Sequence, residues 1–333
     1  ADERGRVKLF HQALEIAYQR GVTGAHSFDG WDGYQFMRSL AERRRLGLRV
    51  RYNVLAEDLT RALSELGERK LFGYGDDWLK ITGVKVFADG ALGSQTALMY
   101  RPFTGTNGNC GIAVTSPAEL MKITRRAKRH GLPLAVHAIG DRAVTEVVTT
   151  LADNPPPAGT RHRVEHLQIT RKKDLPLVVR SGVVCSMQPS HLPSDIPIMQ
   201  RYLGLRINNC YLFGSLLKRG VPLAFGSDVP IEPLNPLGGI VDAVRRVSHS
   251  GGAAVNPKER ISALAAARAF SHGAAFAVAE EHAFGSLLPG YCADLTILSH
   301  DLRRVNLRSV GDVSVVATVI DGKCVYSAGA LAF

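Results

Sequence analysis

No stretch of this 333-residue chain approaches the ~20 consecutive apolar residues that a membrane-spanning helix needs, which excludes a membrane partner of that kind. Cysteine is scarce. The five present (Cys110, Cys185, Cys210, Cys292 and Cys324) are widely spaced and form no Cys-x-x-Cys pair. An odd count at such spacings excludes a disulfide framework and favours reduced, mostly buried thiols in an intracellular, cytoplasmic protein. Aromatic residues make up only 7% of the chain and do not interleave with its basic clusters at Arg43–Arg45 and Arg125–Arg129. Without that interleaving or a known module, the net charge of +11 reads as solvated helix faces and not as a nucleic-acid surface. The same charge would steer anionic small molecules. A signal-peptide pattern is missing, and the chain opens on a charged run without a methionine, which reads as a cut or processed end. Finally, none of the 11 histidines forms a His-x-His pair.

What is present is a regular alternation. Hydrophobic residues make up 45% and charged residues 21%, ordinary values for a chain long enough to bury a sizeable core. Short apolar runs predict strands at 22–27, 48–55, 83–88, 132–138, 162–167, 183–188 and 221–226. Helical periodicity predicts an opening helix closed by Gly21, then helices at 33–45, 59–70, 117–130, 142–151, 172–181, 212–219, 237–247 and 262–270. The segment after 188 reads as a long loop. Strand–helix alternation implies a parallel sheet, either a closed barrel or an open doubly wound one. The count is seven barrel-like strands, so an eight-stranded barrel requires one more, placed before the opening helix. From Gly285 the texture changes to strands at 293–298, 313–320 and 323–327, the last two joined by Asp321-Gly322, a strong hairpin signal. The expected division is a barrel domain at 1–284 and strands of a small β domain at 285–333, too few to stand alone.

Four polar residues end four of the apolar runs: Lys85 in GVKVFADG, His137 in LPLAVHAIG, His166 in RHRVEHLQ and Asp228 in VPLAFGSDVP. Strand alternation groups Lys85 with Phe87 and Asp89, Ala135 with His137, Val164 with His166, and Ala224 and Gly226 with Asp228. If those faces point inward, the four polar groups converge at the C-terminal mouth, where barrel enzymes keep their chemistry. Two imidazoles with oxygen donors suit zinc or another divalent metal, which makes a hydroxide available near neutral pH. Asp228 would bind metal and accept the proton of the attacking water. Each residue alone has a plainer reading as a core histidine, a snorkelling lysine or a loop cap; the four together in matching places do not. Weaker candidates for substrate contact are His191, Gln188 and His26, with Gly90 and Ser94 presenting backbone N–H groups. Asp89 is a loop organiser, Asp141 a helix cap and His162 a core residue in this reading.

At these residues the chain resembles the amidohydrolase superfamily. GVKVFADGALGSQTALMYRPF, RHRVEHLQ, QPSHLPSD, FGSDVPIEPLNP and FGSLLPGYCADLTILSHD resemble the branch that contains N-substituted formamide deformylase and exoenzyme-regulatory-type amidohydrolases. The resemblance covers essentially the whole chain. It implies a TIM-type (β/α)8 barrel, here apparently without its first strand, plus part of a small β-sandwich built from both chain ends. It also implies a carboxylated Lys85, metal-binding His137 and His166, and Asp228 as ligand and proton shuttle. The strand-one His-x-His has no counterpart, so one metal position is nearly complete and a second lacks two ligands. The implied function is hydrolysis of a non-peptide C–N bond, an amide or N-formyl group, in a small molecule. Alternatives are a lactonase or esterase on the same site, or an inactive remnant. Two open strand edges would favour a homo-oligomer or a partner chain that supplies the absent strand.

Overall fold

The structure, a computed structural model, describes residues 3–67 and 70–329. Seven strands form one sheet: β1 (Gly24–Ser27), β2 (Arg49–Leu55), β3 (Leu79–Phe87), β4 (Leu134–Ala138), β5 (Arg163–His166), β6 (Val184–Met187) and β7 (Leu223–Phe225). Every neighbouring pair is parallel and the spatial order is the chain order, β1 to β7. A doubly wound sheet reverses its order at a switch point. This sheet winds one way only, as the wall of a TIM-type barrel does. Among the described residues β1 and β7 each pair on one side only, so the wall has two edges.

The two faces of the sheet differ in chemistry. Val50, Tyr52 and Val54 on β2, Ile81, Val84 and Val86 on β3, and Leu134 and Val136 on β4 join the main hydrophobic core. Residues between them on β2, β3 and β5 are polar: Arg49, Arg51, Asn53, Lys85, Arg163 and Glu165 are each 5% exposed or less. Such groups stay buried only if partnered. Arg49 meets Asp294 at 2.6 Å, Arg163 meets Glu165 at 2.8 Å, and Glu280 takes both Arg51 and Lys80.

Most predicted elements recur with ends shifted by a few residues, and three differ in kind or extent. The segment after β6 is a helix, His191–Leu203, followed by a 3-10 turn at Gly204–Asn209. Leu192, Ile196, Met199 and Leu203 form its buried face. Pro193 and Pro197 disguise that periodicity, because proline inside a helix normally argues against one. The helix predicted at 59–70 is Leu59–Leu66, ended by Gly67 at φ 84°, and positions 68 and 69 lie outside the described residues. The helix predicted at 262–270 is Ala263–Arg268, which widens into a π turn at Ala269–Gly273.

The C-terminal strands β8 (Leu295–Leu298), β9 (Val315–Ile320) and β10 (Lys323–Ser327) form an antiparallel sheet in the order β10-β9-β8. Asp321 (φ 54°) and Gly322 (φ 73°) make the tight turn, with both central residues left-handed as such hairpins require. This sheet rests on the opening helix Glu3–Gln19: Thr318 Oγ1 donates to Tyr18 O (2.6 Å) and Thr296 Oγ1 to Gly21 O (2.7 Å). Leu14, Leu48 and Ile320 pack together beneath it. Of the region expected at 285–333, positions 330–333 lie outside the described residues, as do positions 1 and 2 of the expected barrel region.

Candidate metal centre

Register brings the strand ends level. Lys85 pairs with Ala135, Phe87 with His137, and Ala138 with His166. Lys85 therefore sits one step below the Phe87–His137 pair. Its Nζ lies 4.5 Å from the centre of the Phe28 ring and 4.8 Å from that of Phe87. Burial pulls the amine down to about 8, although the Glu165 carboxylate opposes the shift. The His137 and His166 rings meet edge to face, 4.5 Å apart. Burial holds His137 down to about 4 and His166 well below its ordinary value. Both are then neutral imidazoles near pH 7, the form that binds a metal.

The loops behind these strands are tied by one carboxylate. Asp89, 2% exposed, accepts N–H bonds from Leu98 (2.9 Å), Ile139 (3.0 Å) and Gly140 (2.8 Å). Burial nonetheless pushes its carboxyl up to about 7. His137 Nε2 turns toward the same place, 3.1 Å from Gly90 O and 3.6 Å from Asp89 Oδ1.

On β5 the alternation argument fails and is corrected. Val164 lies in the main hydrophobic core, whereas Arg163 pairs with His26 of β1 (2.6 Å) and faces the Phe28 ring beside Lys85. Arg163 and Glu165, not Val164, are therefore the interior residues of this strand. His166 departs from the pleat because its φ is +72°, followed by Leu167 at +44°. Asp228, in the loop after β7, is likewise left-handed at +58°. Such angles are uncommon for residues other than glycine and persist where the surroundings enforce them.

The grouping that results includes a residue the sequence placed at the substrate. One ligating atom each from His166, His191 and Asp228 falls within 4.8 Å of the others. His191 Nε2 is 3.3 Å from Asp228 Oδ2 yet outside hydrogen-bond alignment, and it is buried with no other partner. His166 Nδ1 is also buried and unpartnered. Two buried, unpartnered ring nitrogens beside a carboxylate fit a divalent metal of the zinc type.

The remaining candidates separate. Gln188, 6% exposed, lies beside His166. His26 is committed to Arg163. Gly90 offers its carbonyl to His137, while its N–H goes to Thr96 O (3.3 Å), so it presents no free donor. Ser94 is exposed, and its hydroxyl is bonded to Thr96 Oγ1 (2.7 Å). Asp141 is not the cap of its helix; Gly140 holds that position, and Asp141 Oδ1 accepts the Tyr100 N–H (2.9 Å). His162 accepts Leu134 N–H at Nδ1 (2.9 Å) and meets Asn154 O at Nε2 (3.0 Å), a pairing internal to the core. The buried Asp195, bonded to Gln168 and Tyr211, was not singled out from sequence. Its place four residues after His191 was the available signal.

The pattern described as Amidohydrolase family matches residues 4–326. The chain belongs to the amidohydrolase family. Several known proteins are similar to this chain. YtcJ of Bacillus subtilis (strain 168), whose name places it among amidohydrolases, is 33% identical over 75% of this chain and 48% of its own length. Protein LONG AFTER FAR-RED 3 of Arabidopsis thaliana is 37% identical over 75% of this chain and 44% of its own. N-substituted formamide deformylase of Arthrobacter pascens is 25% identical over 72% and 44%. An uncharacterized metal-dependent hydrolase from Pyrococcus furiosus superimposes with a TM-score of 0.75 at 31% identity, covering 86% of this chain and 57% of that one. The amidohydrolase chain thus spans about half the length of the curated relatives it matches. Among its described residues no helix is long and apolar enough to cross a membrane.

Proposed function

We propose that this chain carries the metal-holding mouth of a hydrolase that cleaves a non-peptide C–N bond, an amide or N-formyl group, in a small molecule. The observation that carries the reading is the convergence of two unpartnered, buried imidazole nitrogens with the Asp228 carboxylate where β5, β6 and β7 end. His137, His166 and Asp228 are the proposed protein donors, with Lys85 joining them once carboxylated. A bound zinc or similar divalent ion supplies Lewis acidity and a water of lowered pKa.

The chain's own groups do the rest. Asp228, with its side chain 29% exposed, reaches both the buried histidines and the open mouth. It takes the proton of the attacking water and delivers it to the leaving nitrogen. Lys85, with its amine pulled down to about 8, has a usable neutral fraction near pH 7. That nitrogen adds to the carbon of carbon dioxide and loses a proton, leaving an anionic oxygen donor. Asp89 holds the loops after β3 and β4 so that His137 keeps its place. The Amidohydrolase family match and the deformylase relative support the C–N bond.

The test is elemental analysis together with turnover of N-formyl amines, N-acyl amines, esters and lactones, with products identified. Amide cleavage that a chelator abolishes and zinc restores is the expected result. Cleavage of esters or lactones alone would replace the C–N assignment. Tightly bound metal with no turnover of any of these would point to a non-catalytic role.

A further inference from the structure

We infer that His191 is itself a metal ligand, forming with His166 and Asp228 a three-donor position inside this chain. The inference rests on the reading that the mouth holds a metal, and it names a ligand that the four-strand-end pattern does not include. Its first support is burial. A histidine meant for substrate turns a ring nitrogen to the solvent that substrate will displace. His191 Nε2 is instead buried without a hydrogen-bond partner, as is His166 Nδ1. Native structures rarely leave such atoms unpaired, and a shared cation is one partner that suits both.

The second support is spacing. Four donors at zinc–nitrogen or zinc–oxygen lengths of about 2.0–2.1 Å in a tetrahedron stand roughly 3.3 Å from one another. His191 Nε2 and Asp228 Oδ2 are 3.3 Å apart. His191 would join the donors proposed above, and Asp228, the more exposed of this pair, marks the side left open to water.

The third support is the means of holding His191 in register. Asp195, four residues along the same helix, accepts from Gln168 Nε2 and from Tyr211 OH. Gln168 follows His166 by two residues, and its carbonyl accepts the Tyr211 N–H at 2.8 Å. The Arg246 guanidinium donates to Tyr211 O at 3.0 Å, fixing the far end. One buried carboxylate therefore joins the helix bearing His191 to the loop bearing His166. Partners of this kind orient metal ligands and are felt in affinity when removed.

The experiment measures zinc affinity by competition with a chromophoric chelator, on the whole protein and on His191→Gln, His191→Asn and Asp195→Asn. The visible spectrum of the cobalt-loaded forms is recorded in parallel. Both His191 variants are expected to lose at least ~100-fold in affinity and to alter the cobalt bands, with Asp195→Asn losing about 10–100-fold. Circular dichroism of the metal-free forms identifies any variant that fails to fold, and the second His191 substitution and Asp195→Asn keep the comparison open. Unchanged affinity and cobalt spectrum in a folded His191 variant, with only KM raised, would overturn the inference and make His191 a substrate contact. Failure of the unsubstituted protein to bind zinc or cobalt would overturn the parent reading instead.

Discussion

His162 and His166 stand one helical turn apart in number but in unlike settings, and that contrast separates scaffold from chemistry. His162 spends both ring nitrogens on backbone groups, while His166 leaves one unspent. Burial also holds His162 down to about 4. The unfolded chain takes up this proton near 6.5 and the folded chain only near 4, so the folded state loses stability as pH falls through that window. The full effect of this one residue is about 3 kcal/mol, reached below the folded value. Urea titrations at successive pH values should show His162→Gln with a flatter acid slope than the natural chain, because the amide offers an acceptor and a donor without titrating. An equal slope in both would remove His162 from the account. In the proposed reaction Asp228 is the base. Asp228→Asn keeps the shape and loses the base, so kcat should fall about 10²–10⁴-fold. An unchanged thermal midpoint would show that the fold survives, and near-normal turnover would exclude the proton-transfer role.

At the scale of elements, legibility follows the kind of signal each element sends. The strands of the wall are short apolar runs, and all seven were readable, with His166 last in β5, His137 next to last in β4 and Lys85 two residues before the end of β3. The helix at His191–Leu203 was not readable because two prolines interrupt its apolar stripe. With that helix hidden, His191 appeared to lie on a loop, and its approach to Asp228 had no visible cause. The facing of β5 was misread for another reason: strict alternation assumes extended backbone throughout, and His166 leaves it at φ +72°. Side-chain reach at a strand end depends on that single angle, which composition does not encode. Asp89 shows how far one residue governs two elements. Asp89→Ala would leave three buried backbone donors without an acceptor. At ~1–3 kcal/mol for each stranded group, the expected loss is about 3 kcal/mol or more, measurable by chemical denaturation. A loss under about 1 kcal/mol would show that water reaches those donors. The Arg49–Asp294 pair likewise ties β2 to the start of β8. Asp294→Ala removes the nearer carboxylate from a guanidinium whose side chain is only 6% exposed and leaves it Asp321 at 3.2 Å, so the expected loss falls below the ~3–5 kcal/mol of a fully broken buried pair.

At the scale of the whole molecule, the described residues form a wall of parallel strands with a charged inner face and two edges, beside a small antiparallel sheet. The one-way order of β1 to β7 was implicit in the strand–helix alternation, but the edges became visible only in the pairing. They are not equivalent. The π turn after Ala263–Arg268 runs against β7 so closely that a methyl group on Gly273 would stand 2.0 Å from Leu223 O. That backbone packs tightly against β7. β1, the other edge, begins at an exposed Gly24 and continues through the half-buried Ala25 and His26. It is short and carries no Asp, Glu, Lys or Arg, and among the described residues no strand pairs with its free side, the kind of edge that recruits another chain by main-chain pairing. This chain on its own should therefore associate through β1. Light scattering over a range of concentrations should show the mean mass rising. Hydrogen exchange should show β1 amides fast in dilute solution and slowed as mass increases, while β3–β5 stay protected throughout. A mass that holds at one chain across the range, with β1 amides already protected, would mean that the edge is closed by something within the chain. Association with β1 still exchanging freely would move the contact elsewhere, and the exposed Leu205, Ile231 and Leu287 are the next surfaces to examine.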